Sequence, residues 1–272
     1  MQLIERTKHD IYPFISPESG LKDSAKGKTV LVTGGGKGIG KAIATQFALA
    51  GATTVIISGR SRDALEAAKS VIEADAPHCA VVPIVTDVTD QRSVQSLFDG
   101  LSSPPDVLVN NAGGTQASTA IVDSVVDDWW MDFETNAKSV YMCSRAYLRA
   151  LAGRPGVILN VSSNASFSMG RTLSSYSASK TAANRITEFI DLEHSEQGVQ
   201  CIAFHPGGIA DTDLGRRAPA AFQPYLNDTA NLAAGTAVFL STPRAAFLRG
   251  RFVLSNWDME KLESQQDRIL TL

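Results

Sequence analysis

Cysteine is scarce in this sequence, and basic charge is not in excess. Three cysteines, Cys79, Cys143 and Cys201, lie far apart in 272 residues. An odd number at such spacing fits neither a disulfide framework nor a zinc site, so we expect free thiols and no bound metal. The formal net charge of −3 argues against a protein that binds nucleic acid by neutralising its phosphates.

Long hydrophobic runs are also missing. No apolar run reaches the roughly 18 residues that a membrane-spanning helix needs. The opening segment, MQLIERTKHDIYPFISPESG, lacks the apolar block of a secretory signal. We therefore expect a cytoplasmic protein without a membrane partner. The hydrophobic content of 44% suffices for a substantial core, and the length is compatible with one domain.

Short β-branched runs alternate with longer amphipathic stretches from Lys28 onward. Several of the runs are almost continuously apolar, which is typical of strands covered on both faces. Strands are predicted at 29–34, 53–58, 80–85, 106–110, 156–161, 199–204 and 251–255, and helices at 38–50, 61–74, about 124–151 and about 174–196. The alternation predicts an α/β protein with a single-domain Rossmann fold, a doubly wound parallel sheet of about seven strands with helices on both faces.

Glycines cluster between the first predicted strand and the first predicted helix, in TGGGKGIG (33–40). Glycines let the backbone turn tightly and approach a pyrophosphate, which rests on N–H groups at a helix N-terminus. We predict a dinucleotide site formed by Gly34, Gly36, Lys37, Gly38, Ile39 and Gly40. The alternative is a glycine-rich turn without a ligand, since the usual G-x-G-x-x-G spacing is absent. The NAD(P)-binding catalytic domain is then 28–272, preceded by an N-terminal arm at 1–27.

The end of the second predicted strand bears on the choice of cofactor. In this fold an acidic residue there binds the ribose of NAD, whereas a basic residue suits the 2′-phosphate of NADP. Gly59 stands where the acid would be, Arg60 follows, and Lys37 lies in the glycine loop. We therefore expect NADP(H) rather than NAD(H). Alternatively, Arg60 and Arg62 are merely solvated, although a guanidinium suits phosphate well.

The segment VTDVTD follows the third predicted strand. Asp87 is a candidate for binding the adenine amino group, with Val88 beside it. The competing interpretation is a helix cap at Asp90 or nearby.

Taken together, the ordered motifs resemble the short-chain dehydrogenase/reductase family, in the branch that carries a catalytic tetrad. The resemblance covers about 28–257. Its motifs are TGGGKGIG (33–40), DV (87–88), NNAG (110–113), the asparagine of ETNAKSVY (Asn136), a serine after the fifth strand, YSASK (176–180) and HPGGI (205–209). The closing GRFVLSNWDMEKL resembles fungal members, some of them from secondary metabolism.

The pair Tyr176 and Lys180 is spaced to share one face of a helix. An ammonium near a phenol favours the ionised phenol, so we expect the pKa of Tyr176 to be lowered. The resemblance implies that Tyr176 is the general acid for ketone reduction and that Lys180 also holds the nicotinamide ribose. It further implies that Ser163, rather than Ser162, polarises the carbonyl and that Asn136 holds a water. For Asn136 the alternative is a helix-interior amide bonded to the backbone.

The resemblance implies further cofactor contacts at Asn111, Ala112, Gly113, Pro206, Gly207 and Ile209, besides Tyr176 and Lys180. Asn110 or Asn111 could equally pin the backbone of neighbouring strands. Asp211 stands where the family usually has threonine, so Ile209 is the safer contact, and His205 is interpreted as structural. The segment 208–227 is long, rich in alanine and proline, and weakly periodic. It is predicted to be a lid over a fairly apolar substrate.

These observations predict an NADPH-dependent carbonyl reductase, equivalently an alcohol dehydrogenase, acting on a small ketone or alcohol. The alternatives are a non-redox isomerase, dehydratase or cyclase on the same scaffold, and a non-catalytic sensor of NADP(H). The intact set of Asn136, Ser163, Tyr176 and Lys180 counts against both. The resemblance also implies a homotetramer or homodimer.

Overall fold

One parallel sheet organises the protein. The computed structural model describes residues 4–115, 118–218 and 220–271. The strand order is β3-β2-β1-β4-β5-β6-β7, with β1 at Thr29–Thr33, β2 at Thr54–Gly59, β3 at Ala80–Val85, β4 at Val107–Asn110, β5 at Gly156–Val161, β6 at Val199–His205 and β7 at Phe252–Leu254. After β3 the chain crosses to the other side of β1. This reversal opens a crevice at the carboxyl ends of β1 and β4, where open α/β sheets bind ligands.

Helices connect the strands and cover the sheet. Within the described residues they are α1 (Gly38–Leu49), α2 (Arg62–Asp75), α3 (Gln91–Asp99), α4 (Val126–Phe133), α5 (Ser139–Leu151), α6 (Ser174–His194), α7 (Asp213–Arg216), α8 (Ala230–Leu240), α9 (Met259–Glu263) and α10 (Gln266–Leu270). Every predicted strand is present, with ends that differ by at most one residue from the prediction.

The sheet separates two hydrophobic cores, because successive side chains of a strand point to opposite faces. In β1, Val30 and Val32 enter the core that contains Phe47 of α1. Leu31 enters the opposite core, which contains Tyr147 of α5. All five side chains are fully buried. The predicted Rossmann-type sheet, covered on both faces, is therefore confirmed.

The helix predicted at about 124–151 is interrupted. α4 ends at Phe133, a π-helical turn occupies Glu134–Lys138, and α5 continues from Ser139. Such widened turns occur frequently at functional sites. This one lies beside the carboxyl edge of the sheet and carries Asn136.

Residues 4–27 pack onto the body of the fold. Ile15 and Leu21 are buried in the same core as α1. The backbone N–H groups of Thr7 and Lys8 both donate to the carbonyl oxygen of Asn256. The arm therefore shares its core with the sheet, and the domain boundary at residue 27 stays a prediction.

The state of the cysteines, the grouping of possible metal ligands and the apolar length of the helices concern three expectations from the sequence. All three cysteines are free and buried. Across the described residues, no group of three or more His, Cys, Asp or Glu side chains is placed to hold a metal ion. Over the same part of the chain, no helix is both long enough and apolar enough to cross a bilayer.

Candidate active site

The glycine turn between β1 and α1 bends sharply and brings the helix close to the strand. Gly34 and Gly38 have φ values of +67° and +53°, a region that favours glycine. A Cβ on Gly40 would lie 2.2 Å from the carbonyl oxygen of Gly34, so the helix can approach the strand this closely only with glycine there. The first N–H groups of α1 have no partner within the helix, and they suit the phosphates of a dinucleotide. Gly36 faces α2 rather than the strand, because a Cβ there would meet the backbone of Ala64 in α2.

The end of β4 holds the glycine turn in place. The side-chain amide of Asn111 donates to the carbonyl oxygens of Thr33 at 2.8 Å and Gly34 at 3.2 Å. The backbone N–H groups of Asn111 and Ala112 donate to Thr33 Oγ1. Asn110 donates instead to Asn160 Oδ1 of β5 at 2.8 Å. Both asparagines thus pin neighbouring strands, as the alternative interpretation had it, and a cofactor contact by Asn111 stays a prediction.

The basic residues predicted to select the cofactor are on the surface. Arg60 is exposed at the end of β2. Lys37 occupies the N-cap position of α1 without a capping side-chain hydrogen bond. It forms an ion pair with Asp213 of the predicted lid, with 72% of the lysine side chain exposed. Because both partners are exposed, this pair contributes little stability, and Lys37 can exchange partners.

Asp87 lies close to Arg60. Hydrogen bonds from the hydroxyl and N–H groups of Thr89 and the positive charge of Arg60 lower the pKa of the Asp87 carboxyl. Asp90 caps α3 by accepting from the N–H groups of Arg92 and Ser93, so the helix cap is at Asp90. An adenine contact through Asp87 and Val88 stays a prediction.

Three of the four predicted tetrad residues meet at the carboxyl ends of β5 and β4. Tyr176 and Lys180 lie one turn apart on α6, and their exposed fractions are 9% and 4%. Ser163 follows β5, and its hydroxyl lies near enough to the phenol of Tyr176 to lower the pKa of that phenol. Lys180 Nζ lies 5.9 Å from the centroid of the Tyr176 ring and donates to the carbonyl oxygen of Val161 at 2.8 Å. The buried phenol and amine and the half-buried hydroxyl of Ser163 therefore form one group.

Burial dominates the electrostatics of this group, and one expectation was wrong. The pKa of Tyr176 is raised above its ordinary value by burial, against the opposing effect of the Ser163 hydroxyl, whereas proximity to Lys180 had been expected to lower it. Burial also lowers the pKa of Lys180 to about 8. Loss of hydration disfavours the charged form of each group, and it is the largest cause of both shifts.

Asn136 completes the group from the π-helical turn and is fully buried. Its amide nitrogen donates to the carbonyl oxygens of Gly114 at 2.8 Å and Asp132 at 2.9 Å, and to Ser179 Oγ at 3.2 Å. The two bonds to carbonyl oxygens agree with the alternative interpretation of Asn136 as a helix-interior amide that is bonded to the backbone. A Cβ on Gly113 would lie 2.8 Å from Asn136 Oδ1 and 3.1 Å from Lys180 Nζ. Gly113 is therefore wedged against both side chains.

A buried carboxylate beside the tetrad was missed by the sequence analysis. Asp132 is 1% exposed, and its Oδ2 accepts hydrogen bonds from Ser175 Oγ at 2.6 Å and Thr115 Oγ1 at 2.7 Å. The available signal was its spacing, one helical turn before Asn136. An acid on a helix is more often a solvated residue than a buried one, so the spacing alone did not single it out.

The loop after β6 lies at the carboxyl edge of the same sheet. Gly207 adopts a φ of +103°, and the N–H of Gly208 donates to Asp228 Oδ2 at 2.6 Å. Pro206 and Ile209 are buried. The ring nitrogen of His205 accepts from the N–H of Asn164, and burial lowers the pKa of His205 to about 4. A neutral His205 thus ties the β6 loop to the loop that carries Ser163, as its structural interpretation implied.

The predicted lid at 208–227 is partly helical, with α7 and a 3₁₀ turn at Ala220–Tyr225. Thr212 caps α7 and lies near the glycine turn, since a Cβ on Gly38 would be 3.8 Å from its methyl carbon. A Cβ on Gly170 would lie 3.5 Å from Phe222 of the lid. Phe167 packs on Phe252 of β7, with ring centroids 4.8 Å apart.

Comparisons with known proteins agree with this geometry. The sequence model of the short chain dehydrogenase family matches residues 28–221. The short chain dehydrogenase mpl6 of Monascus purpureus is 33% identical, with 98% of this chain and 92% of the relative covered. A short chain dehydrogenase/reductase of Claviceps purpurea (strain 20.1) is 35% identical, with coverages of 95% and 87%. A solved short-chain type dehydrogenase/reductase from Mycobacterium ulcerans superposes with a TM-score of 0.75 at 25% identity, covering 84% of this chain and 88% of that one.

The chain belongs to the short chain dehydrogenase family. Membership confirms the resemblance predicted from the motifs, and both relatives are fungal. It also indicates an oxidoreductase that uses a nicotinamide dinucleotide and a small-molecule substrate.

Proposed function

We propose that this protein is an NADPH-dependent carbonyl reductase, equivalently an alcohol dehydrogenase, that reduces a small ketone. The observation that carries the proposal is the grouping of the buried Tyr176 and Lys180 with the half-buried Ser163 at the carboxyl edge of the sheet. A buried phenol next to a buried amine is costly to maintain, and proton transfer to a substrate explains its presence. When bound, the cofactor supplies the hydride.

The protein's own residues handle the proton. Ser163 donates a hydrogen bond to the carbonyl oxygen of the substrate and stabilises the negative charge that develops there. Tyr176 donates its proton to the same oxygen as the alcohol forms. Lys180, held by the carbonyl oxygen of Val161, stabilises the resulting phenolate with its ammonium charge. Asn136 fixes the position of the segment 113–114 beside the amine.

The cofactor lies along the crevice in this proposal. Gly34, Gly38, Ile39 and Gly40 hold the pyrophosphate, Asp87 and Val88 the adenine, and Ala112, Gly113, Pro206, Gly207 and Ile209 the nicotinamide half. Preference for NADPH rests on the absence of an acid at Gly59 and on the exposed cation of Arg60. Lys37 adds a second cation by releasing Asp213 and turning to the 2′-phosphate.

The substrate is fairly apolar in this proposal. Phe222 and Leu173 approach each other at Gly170, on the rim of the crevice. Met169, in the same loop as Ser163, is fully exposed. An apolar ligand under the lid would remove these side chains from water and gain free energy by doing so.

A screen of ketones tests the function. Wild-type protein is mixed with NADPH and each ketone in a stopped-flow instrument, and loss of NADPH absorbance is followed. We expect consumption with at least one apolar ketone. Tyr176→Phe should bind NADPH with nearly the wild-type Kd and turn over roughly 100-fold to 10,000-fold more slowly. Wild-type-like turnover by Tyr176→Phe would overturn the proposed mechanism, and binding without consumption across the panel would overturn the function.

A further inference from the structure

A buried acid stands directly behind the proposed proton donor. Asp132 is the last acid of α4 and is fully enclosed, with 1% exposure. Its carboxylate accepts a hydrogen bond of 2.6 Å from Ser175, the residue immediately before Tyr176. Its backbone carbonyl oxygen accepts from Asn136 at 2.9 Å. Asp132 is thus hydrogen-bonded to Asn136, a member of the tetrad, and to Ser175, the neighbour of Tyr176.

We propose that Asp132 is a positioning residue of the active site, whose buried negative charge holds Lys180 in its ammonium form and whose hydrogen bond to Ser175 fixes the start of α6. The proposal rests on the proposed function and deepens it.

The need for a counter-charge follows from the surroundings of Lys180. The residue is 4% exposed, and its amine is hydrogen-bonded to a neutral oxygen, the carbonyl of Val161. An ammonium so placed loses most of its hydration, which favours the neutral amine. The negative charge of Asp132 opposes this effect, so the pKa of Lys180 falls less than burial alone would lower it. The same charge also raises the pKa of the Tyr176 phenol.

Among the described residues, the other charged side chains of α4 and of the turn that follows it are exposed to solvent. On α4 itself, Asp127 and Asp128 are exposed. On the following turn, Glu134 and Lys138 form an ion pair with side chains 41% and 50% exposed. The segment 113–115 carries only Gly113, Gly114 and Thr115. From α6, the groups that face Asp132 are Ser175, Tyr176 and Lys180.

A direct titration of Lys180 tests the role of the charge without cofactor or substrate. Ligand-free protein labelled with ¹³Cε-lysine is titrated by NMR, and the Lys180 signal is assigned by its loss in Lys180→Met. Removal of the acid in Asp132→Asn should lower the midpoint of Lys180 by roughly 1 pH unit. The amide keeps the size of the side chain and can still accept from Ser175. Because no ketone is involved, this result is independent of the screen that tests the function.

Two matched variants separate the charge from general damage. Asp128→Asn removes an exposed acid one helical turn earlier, and Ser175→Ala removes a hydrogen bond while keeping the carboxylate. Asp128→Asn should leave the Lys180 midpoint unchanged, and Ser175→Ala should shift it less than Asp132→Asn does. If Asp132→Asn fails to fold, the smaller neutral Asp132→Ser takes its place. An unshifted midpoint in a folded neutral variant, or an equal shift in Asp128→Asn, would overturn the proposal.

Kinetics give the second readout. With a ketone that the enzyme reduces, the alkaline fall of kcat/KM should move to lower pH in Asp132→Asn, since both pKa values of the tyrosine–lysine pair decrease together. Activity should then recover partly at lower pH. A uniform loss of activity with an unmoved profile would show a merely structural role.

Discussion

Lys180 reaches across the helix turn that carries Tyr176 and ends on the main chain of β5, where its amine donates to the carbonyl oxygen of Val161 at 2.8 Å. The bond fixes the amine 5.9 Å from the centre of the phenol ring. The proton donor and its charged neighbour are therefore positioned by the end of the strand that leads into Ser163.

The activity should decline at alkaline pH. Burial lowers the pKa of Lys180 to about 8, so its ammonium loses a proton as the pH rises through that value, and the phenolate of Tyr176 loses its stabilising charge. We expect kcat/KM for ketone reduction to fall between about pH 7 and about pH 9. A flat profile across this interval, with protein that remains folded, would contradict the assignment.

Gly113 should be intolerant of a side chain. Its Cβ would collide with Asn136 Oδ1 at 2.8 Å and press on Lys180 Nζ at 3.1 Å, so Gly113→Ala should displace these groups and lower kcat about 100-fold. Gly114→Ala is the matched control, because a Cβ there meets nothing within 4 Å. Circular dichroism should show both variants folded. Equal kinetics of the two variants would contradict a role for the close contact of Gly113 with Asn136 and Lys180.

Arg60 should set the choice of cofactor. A guanidinium on a phosphate is worth about 1.5–3 kcal/mol, so Arg60→Ala should raise the Kd for NADPH about tenfold or more and leave that for NADH nearly unchanged. Arg62→Ala is the control, since Arg62 is exposed at the start of α2. Fluorescence titration with both nucleotides measures the effect. If the two Kd values of Arg60→Ala change by the same factor, the preference has another origin.

His205 should make the protein sensitive to mild acid. Burial lowers its pKa from 6.5 to about 4 in the folded chain. The unfolded chain then binds a proton below about pH 6.5 that the folded chain refuses, and stability decreases as the pH falls towards 4. Urea unfolding at several pH values should show a shallower decrease for His205→Asn than for wild type. Parallel decreases would assign the acid sensitivity to other groups.

The sequence predicted most of the framework, because apolar runs and glycine spacing report directly on backbone geometry. It placed β5 at Gly156–Val161 without error and brought Ser163, Tyr176 and Lys180 to one edge. The direction of the Tyr176 pKa shift was wrong, since a spacing of four residues shows proximity but not how deeply both groups are buried. Asp132 was missed for the same reason.

The proposed function depends on transfer of a hydride from the cofactor to the substrate, and isotope labelling follows that transfer. The enzyme is incubated with NADPH carrying two deuterium atoms at C4 of the nicotinamide and with a ketone from the screen, and the product is analysed by mass spectrometry. We expect the wild-type protein to form an alcohol with one deuterium on the former carbonyl carbon, and Tyr176→Phe to form almost none of it. A product without deuterium would contradict the hydride transfer.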